Sequence, residues 1–220
     1  MGEGRKERES RSIHEENPPL VEVKEFIFPQ FSKEIETELK EAGITHLLSL
    51  GKVKINNVLA LGKGKTGIVA LMPDYKVVKI RRTDSPKKSM EMECKYQMSA
   101  YPVSPEVFLC GRNFILMELA DGRELPMNPS PREMKLALIS ARELEKLKVQ
   151  HKELVRPWKN VIVNENKAFI LDYDSATFKP TPNNVTKILS SIPKLRELGI
   201  KYSKGEIDFE KLLDLIDFYL

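Results

Sequence analysis

Cysteine, histidine and tryptophan are all scarce: two, three and one of them, respectively, in 220 residues. Cys94 and Cys110 form no Cys-x-x-Cys motif and have no histidine at ligand spacing. Neither a disulfide framework nor a zinc site is expected, and a reducing cytoplasm is the default compartment. No apolar run approaches the roughly eighteen residues of a membrane span, and the charged start from Met1 to Arg8 has no apolar signal core. A soluble, unexported chain with no membrane partner is expected. A strong charge of one sign is missing too, since 36 basic side chains face 32 acidic ones and leave a formal charge of +4. A nucleic-acid face needs clustered cations rather than a small excess, so nucleic acid is not expected as a direct ligand. No internal repeat is visible.

What is present suits one domain or two small lobes with a core that needs no staples, because 41% of the residues are apolar. Residues 1–19 carry both charge signs and almost nothing to bury, so a disordered, solvated tail is expected; Arg5, Lys6, Arg8 and Arg11 alternate with Glu3, Glu7 and Glu9. Residues 20–52 read as a small helical extension packing on the sheet that follows. Ser32 is an N-cap candidate, Ile35, Leu39 and Ala42 recur at helical spacing, and Gly43 can close the helix. A β pattern starts at Val53 and leads through Gly62-Lys-Gly-Lys-Thr-Gly67 into Ile68 to Met72, with a third strand at Lys76 to Ile80.

The glycines admit few readings. A dinucleotide fingerprint needs a helix directly after them, yet Ile68, Val69 and Pro73 favour a strand. A P-loop needs its first glycine where Leu59 stands. A glycine-rich hairpin remains, whose backbone N–H groups can lie over phosphates, followed by Lys79 between Val78 and Ile80. Residues 86–100 can form a helix, in which Glu91 or Glu93 can reach Lys79. Residues 107–110 and 114–119 complete a five-stranded antiparallel sheet. At Glu118-Leu-Ala-Asp-Gly122 strands give way to helices. Ser130-Pro-Arg-Glu133 is a capping box with proline at the first helical position, followed by the stripe Met134, Ala137, Leu138, Ala141, Leu144 and Leu147. Two further helices are expected around 185–192 and 209–220. Between them, a loop from His151 leads to a strand ending at Val163, a turn at Asn164 to Asn166, and an apolar strand running into Asp172 and Asp174. Carboxylates at a strand end are well placed to meet a metal or a substrate.

In order, Gly62-x-Gly64-x-x-Gly67-x-Val69, Val-Val-Lys79-Ile, an acid on the next helix, Met-Glu118-Leu119, His151-x-Glu153-Leu and Asp172 resemble the motif set of a protein kinase-like fold over residues 53–178. The compact second half is similar to RIO-type atypical kinases and to small archaeal kinases of predicted Ser/Thr specificity. The resemblance implies an α+β, bilobal fold: a five-stranded N-lobe at 53–119 and a reduced, mostly helical C-lobe at 120–220. It implies an ATP- and Mg²⁺-dependent phosphotransferase acting on a protein Ser or Thr. Gly62, Gly64 and Gly67 would cover the ATP phosphates, with Val69 completing the cofactor-binding motif, and the backbone at Glu118 and Leu119 would face adenine. Lys79 would pair with the phosphates, Glu91 would hold Lys79, and Asp172 and Asn160 would bind the metal. Glu153 stands where the motif has the catalytic Asp, and Asn160 falls two positions beyond the motif's Asn. Arg156 or Lys159 would supply a cation near the γ-phosphate, and His151 would support the loop. A degenerate fold that binds a nucleotide or a partner without transfer, and a kinase for small molecules, are the alternatives.

Overall fold

The computed structural model of the chain describes residues 17–220, so residues 1–16 of the expected tail lie outside the described residues. The fold is mixed α+β with several antiparallel sheets. In the first half, strand β1 (Leu20–Glu22) leads through a short 3-10 turn (Val23–Phe26) to helix α1 (Lys33–Glu41) and strand β2 (His46–Leu48). The Ser32 hydroxyl accepts the Ile35 N–H at 3.4 Å, and Gly43 turns the chain out of the helix at φ 80°. Strands β3 (Val53–Ile55) and β4 (Val58–Ala60) form a separate hairpin, turned at Asn56, whose φ is 46°. Strands β5 (Gly62–Lys63), β6 (Gly67–Leu71) and β7 (Val77–Arg81) follow, then helix α2 (Glu91–Ser99) and the hairpin β8 (Val107–Cys110) and β9 (Phe114–Met117).

The main sheet has seven strands, not five, in the order β1-β2-β6-β7-β9-β8 with β5 on β6, and every pairing is antiparallel. The two additional strands come from residues 20–52, joined to the sheet where Leu48 meets Leu71. Alternation along the strands divides the burial. Ile68, Ala70, Val78, Ile80 and Phe114 pack with Phe26, Ile35 and Leu39 on one face. Val77, Ile115 and Met117 pack with Met90 and Cys94 on the other. Lys79, one step from Val78 and from Ile80, therefore falls on the α2 face.

The return of the β8–β9 hairpin beside α2 also joins Cys94 to Cys110 as a disulfide, with Cα atoms 6.3 Å apart, within the usual range. The sequence leads to no expectation of a disulfide framework, and this one pairing is not foreseen there. Sequence spacing concealed the pair because 16 residues separate the two cysteines.

The second half contains strand β10 (Arg123–Glu124), helix α3 (Pro131–Lys146), strand β11 (Val149–Gln150), a 3-10 turn (Lys152–Val155), helix α4 (Pro157–Asn160), strands β12 (Val161–Val163), β13 (Ala168–Ile170) and β14 (Thr177–Phe178), and helices α5 (Asn184–Ser191), α6 (Arg196–Ser203) and α7 (Phe209–Tyr219). The capping box at Ser130 and Glu133 is made in both directions. From there Met134, Ala137, Leu138, Ala141 and Leu144 bury completely against α5 and α7, through Val185, Ile188, Leu189, Leu212 and Ile216. Met134, Leu138 and Leu144 each contribute about 1.5–3 kcal/mol on burial, and the two alanines let α5 and α7 approach closely, which makes α3 the central support of this half. The Ile170 N–H donates to the Val103 carbonyl at 2.8 Å, fixing the end of β13 beside the segment that follows α2. Among the described residues no helix is long and apolar enough to cross a membrane.

Candidate functional site

The site is built around Lys79. Cross-strand register sets Val69 opposite Lys79 and Gly67 opposite Arg81, so the glycine hairpin lies directly beside the lysine. The Gly64 N–H donates to the Gly67 carbonyl at 2.8 Å and closes the hairpin. A Cβ on Gly67 would stand 3.0 Å from Lys79 Cγ and Cε and 3.1 Å from the Ile80 carbonyl, so a side chain there would press on the lysine and on the β7 backbone. Gly64 is less confined, and a Cβ there would face Asp172 Oδ2 at 4.0 Å.

The Lys79 side chain is only 7% exposed, and a buried ammonium must be paired. It donates to Glu93 Oε1 at 2.5 Å and to Asp172 Oδ1 at 2.8 Å. The partner on α2 is thus Glu93, not Glu91, which is exposed in the same first turn of the helix. Burial alone would lower the Lys79 pKa, but the two carboxylates outweigh it and hold the ammonium above its ordinary value. Burial pushes the Glu93 carboxyl up; Lys79 opposes this, while Asp172 and Asp174 add to it. Burial would also raise Asp172, yet Lys79 holds it below its ordinary value.

The acids reach the site because β13 ends at Ile170 and the backbone then turns at Asp172, whose φ is 64°. Asp is one of the few side chains that tolerates this region, and such conformations concentrate at functional sites. Tyr173 is fully buried and anchors the turn, while Asp172 and Asp174 on either side stay half-buried. The Thr66 hydroxyl donates to Asp174 Oδ2 at 3.4 Å, so the hairpin touches the second acid as well.

The loop from His151 lies alongside. His151 is buried, and its Nε2 lies 2.9 Å from the Leu171 carbonyl. A carbonyl only accepts, so Nε2 carries the proton. Burial lowers the His151 pKa and keeps the ring neutral. The imidazole therefore fastens the loop to the residue before Asp172. Asn184, fully buried and without any sequence signal, fixes the loop from below: its Oδ1 accepts from the His151 N–H and Gln150 Nε2, and its Nδ2 donates to the Val149 carbonyl. Glu153 sits half-buried in the 3-10 turn. Asn160 turns its amide NH₂ to the Glu153 carbonyl at 3.1 Å, and its own carbonyl accepts the Leu171 N–H at 2.8 Å. Its side chain thus braces the loop through nitrogen, leaving Oδ1 without a hydrogen bond among the described residues.

Glu118 extends the β8–β9 pairing at the end away from its turn, its N–H donating to the Glu106 carbonyl at 2.8 Å, and Leu119 beyond it is exposed. Among the described residues there is no cluster of three or more His, Cys, Asp or Glu side chains able to hold a metal. The acids gathered near Lys79 and the hairpin are the carboxylates of Asp172 and Asp174. They suit a hard cation that takes its remaining ligands from water or phosphate, as Mg²⁺ does. No protein-family model matches the chain, and no curated protein sequence matches it either.

Proposed function

We propose that the chain is an ATP- and Mg²⁺-dependent phosphotransferase of bilobal, protein kinase-like architecture, moving the γ-phosphoryl group to a Ser or Thr hydroxyl of a protein. The observation that carries this reading is Lys79, buried beside a glycine hairpin and held by one carboxylate from α2 and another from the turn after β13. A buried lysine with two acids would be a costly way to stabilise a fold. Beside a glycine-rich hairpin it suits a polyphosphate with its cation. In this reading Lys79 meets the phosphates, Glu93 fixes its direction, and the backbone between Gly62 and Gly67 covers them, with the Gly64 N–H spent on closing the hairpin. Asp172, with Asp174 and Asn160 Oδ1, would hold Mg²⁺, which supplies charge neutralisation on the phosphates. Glu153 would accept the proton of the incoming hydroxyl, one methylene longer than the Asp of the motif.

The test is incubation of the purified chain with γ-labelled ATP and Mg²⁺ in the presence of Ser/Thr peptides and of small hydroxylated metabolites. Label on peptides supports the proposal, and label on metabolites alone changes the acceptor class. Binding of ATP without transfer to any acceptor refutes the transferase and favours a nucleotide-binding module. The Asn160 amide group, which is committed to the Glu153 carbonyl, is the observation that favours that second reading.

A further inference from the structure

Glycines leave the 62–67 hairpin few side chains of its own to pack, so contacts with other elements must hold it in place over a ligand. Thr66 supplies one tie, to Asp174. The other comes from the N-terminal extension. Phe28 is a partly buried residue of that extension, and two cations face its ring: Lys63 of β5, with Nζ 4.3 Å from the ring centroid, and Arg82, with its guanidinium carbon at 5.2 Å. Both lie within the range of a cation–π contact. Arg82 is oriented further by Asp84, to which Nε and Nη2 donate at 2.8 and 2.6 Å. Its remaining Nη1 donates to the Gly64 carbonyl at 3.0 Å, and its backbone N–H donates to the Thr66 carbonyl at 2.8 Å. The extension is itself secured to the same strand end, the Thr83 N–H donating to the Phe28 carbonyl at 2.9 Å and the Gln30 N–H to the Thr83 hydroxyl at 3.1 Å.

We infer that Phe28 is a positioning residue for the phosphate-binding hairpin. Its ring is the surface on which Arg82 and Lys63 rest, and through Arg82 it sets the height of Gly64 above Asp172. The inference deepens the proposed function and rests on the hairpin being the nucleotide cover. It gives the extension a task in that site, beyond adding strands to the sheet.

Two readouts separate the inference from the reading it rests on: hydrogen exchange of the amides at 62–67, which needs no ligand, and the dissociation constant for Mg·ATP. Phe28→Leu keeps an apolar side chain against the core but offers no ring face, whereas Phe28→Tyr keeps the face. Arg82→Gln, on the accessible side of the contact, guards against a Phe28 variant that folds poorly. The expected results for Phe28→Leu and Arg82→Gln are faster exchange at 62–67 and about 5- to 30-fold weaker Mg·ATP binding, with Phe28→Tyr close to wild type. A merely structural role for Phe28 predicts no such ranking, with Leu tolerated as well as Tyr. Exchange and affinity in Phe28→Leu equal to wild type overturn the inference. If wild type binds no Mg·ATP while exchange still separates Leu from Tyr, the nucleotide reading falls and the positioning of the hairpin by Phe28 stands.

Discussion

Replacing Lys79 by methionine keeps most of its volume and removes its charge, which isolates what the ammonium does for the fold. In the wild type, Lys79 and Glu93 are 7% and 2% exposed at 2.5 Å, and Asp172 adds a second contact at 2.8 Å. Without the lysine, Glu93 is a buried carboxylate with no cation and with Asp172 and Asp174 nearby. Breaking a buried pair from one side costs about 3–5 kcal/mol, because it strands the remaining charge. Lys76→Met is the control, since its ion pair with Asp74 is 43% and 49% exposed and contributes at most about 1 kcal/mol. The sign of the pH dependence follows from the shifts. The Lys79 pKa is raised, so its contribution is complete below its unfolded value and is lost only as pH rises through the folded one. The Asp172 pKa is lowered, so its contribution exists above its unfolded value and is lost as pH falls through the folded one. The cost of Lys79→Met is therefore full at pH 7 and shrinks in acid, where Glu93 and then Asp172 accept protons. Urea unfolding of both variants at pH 7 and pH 4 measures this. A Lys79→Met cost no larger than that of Lys76→Met, or one that grows in acid, would refute the argument.

Other outcomes follow from particular contacts. Gly67→Ala pushes on Lys79 and the Ile80 carbonyl and costs about 1–3 kcal/mol in stability, whereas Gly64→Ala, whose Cβ has no neighbour closer than 3.7 Å, is tolerated; thermal denaturation ranks the two. Asn184→Ala leaves the His151 N–H and the Val149 carbonyl without partners, at about 1–3 kcal/mol for each, and a loss below about 0.5 kcal/mol in urea unfolding would contradict the bracing role. Glu36 is pulled down to about 2 by hydrogen bonds from Lys40 and then Lys33. Its contribution is present above the ordinary 4.5 and lost as pH falls through about 2, so Glu36→Gln should flatten the acid limb of a stability-against-pH curve; an unchanged limb would count against it.

Much of the fold could be read from patterns confined to one element. The capping box at Ser130 marks the start of α3, the stripe beginning at Met134 is its buried face, and the glycine hairpin and Lys79 lie on adjacent strands as their order in the sequence suggests. Helix α2 is expected within residues 86–100, but its phase is not legible, because Met92, Cys94, Tyr96 and Met98 recur at every second position, which matches no helical face, and Met90 provides no side-chain cap. Without that phase, Glu91 and Glu93 are equivalent on paper. The strands β1 and β2 are three residues each and pair across a helix, so their partnership depends on tertiary contact. The same holds for the Cys94–Cys110 pair, and for Asn184 and Phe28, whose roles come from loops distant in sequence.

The central claim is a phosphate and Mg²⁺ site at Lys79, Glu93 and Asp172, and titration calorimetry of ATP with and without Mg²⁺ tests it most directly. Wild type should bind ATP in a manner strengthened by Mg²⁺. Asp172→Asn should lose that Mg²⁺ dependence. Glu93→Gln should weaken binding about ten- to a hundredfold by releasing Lys79, and Glu91→Gln should have no effect. Absence of ATP binding by wild type, or identical Mg²⁺-dependent binding by Asp172→Asn, would contradict the account.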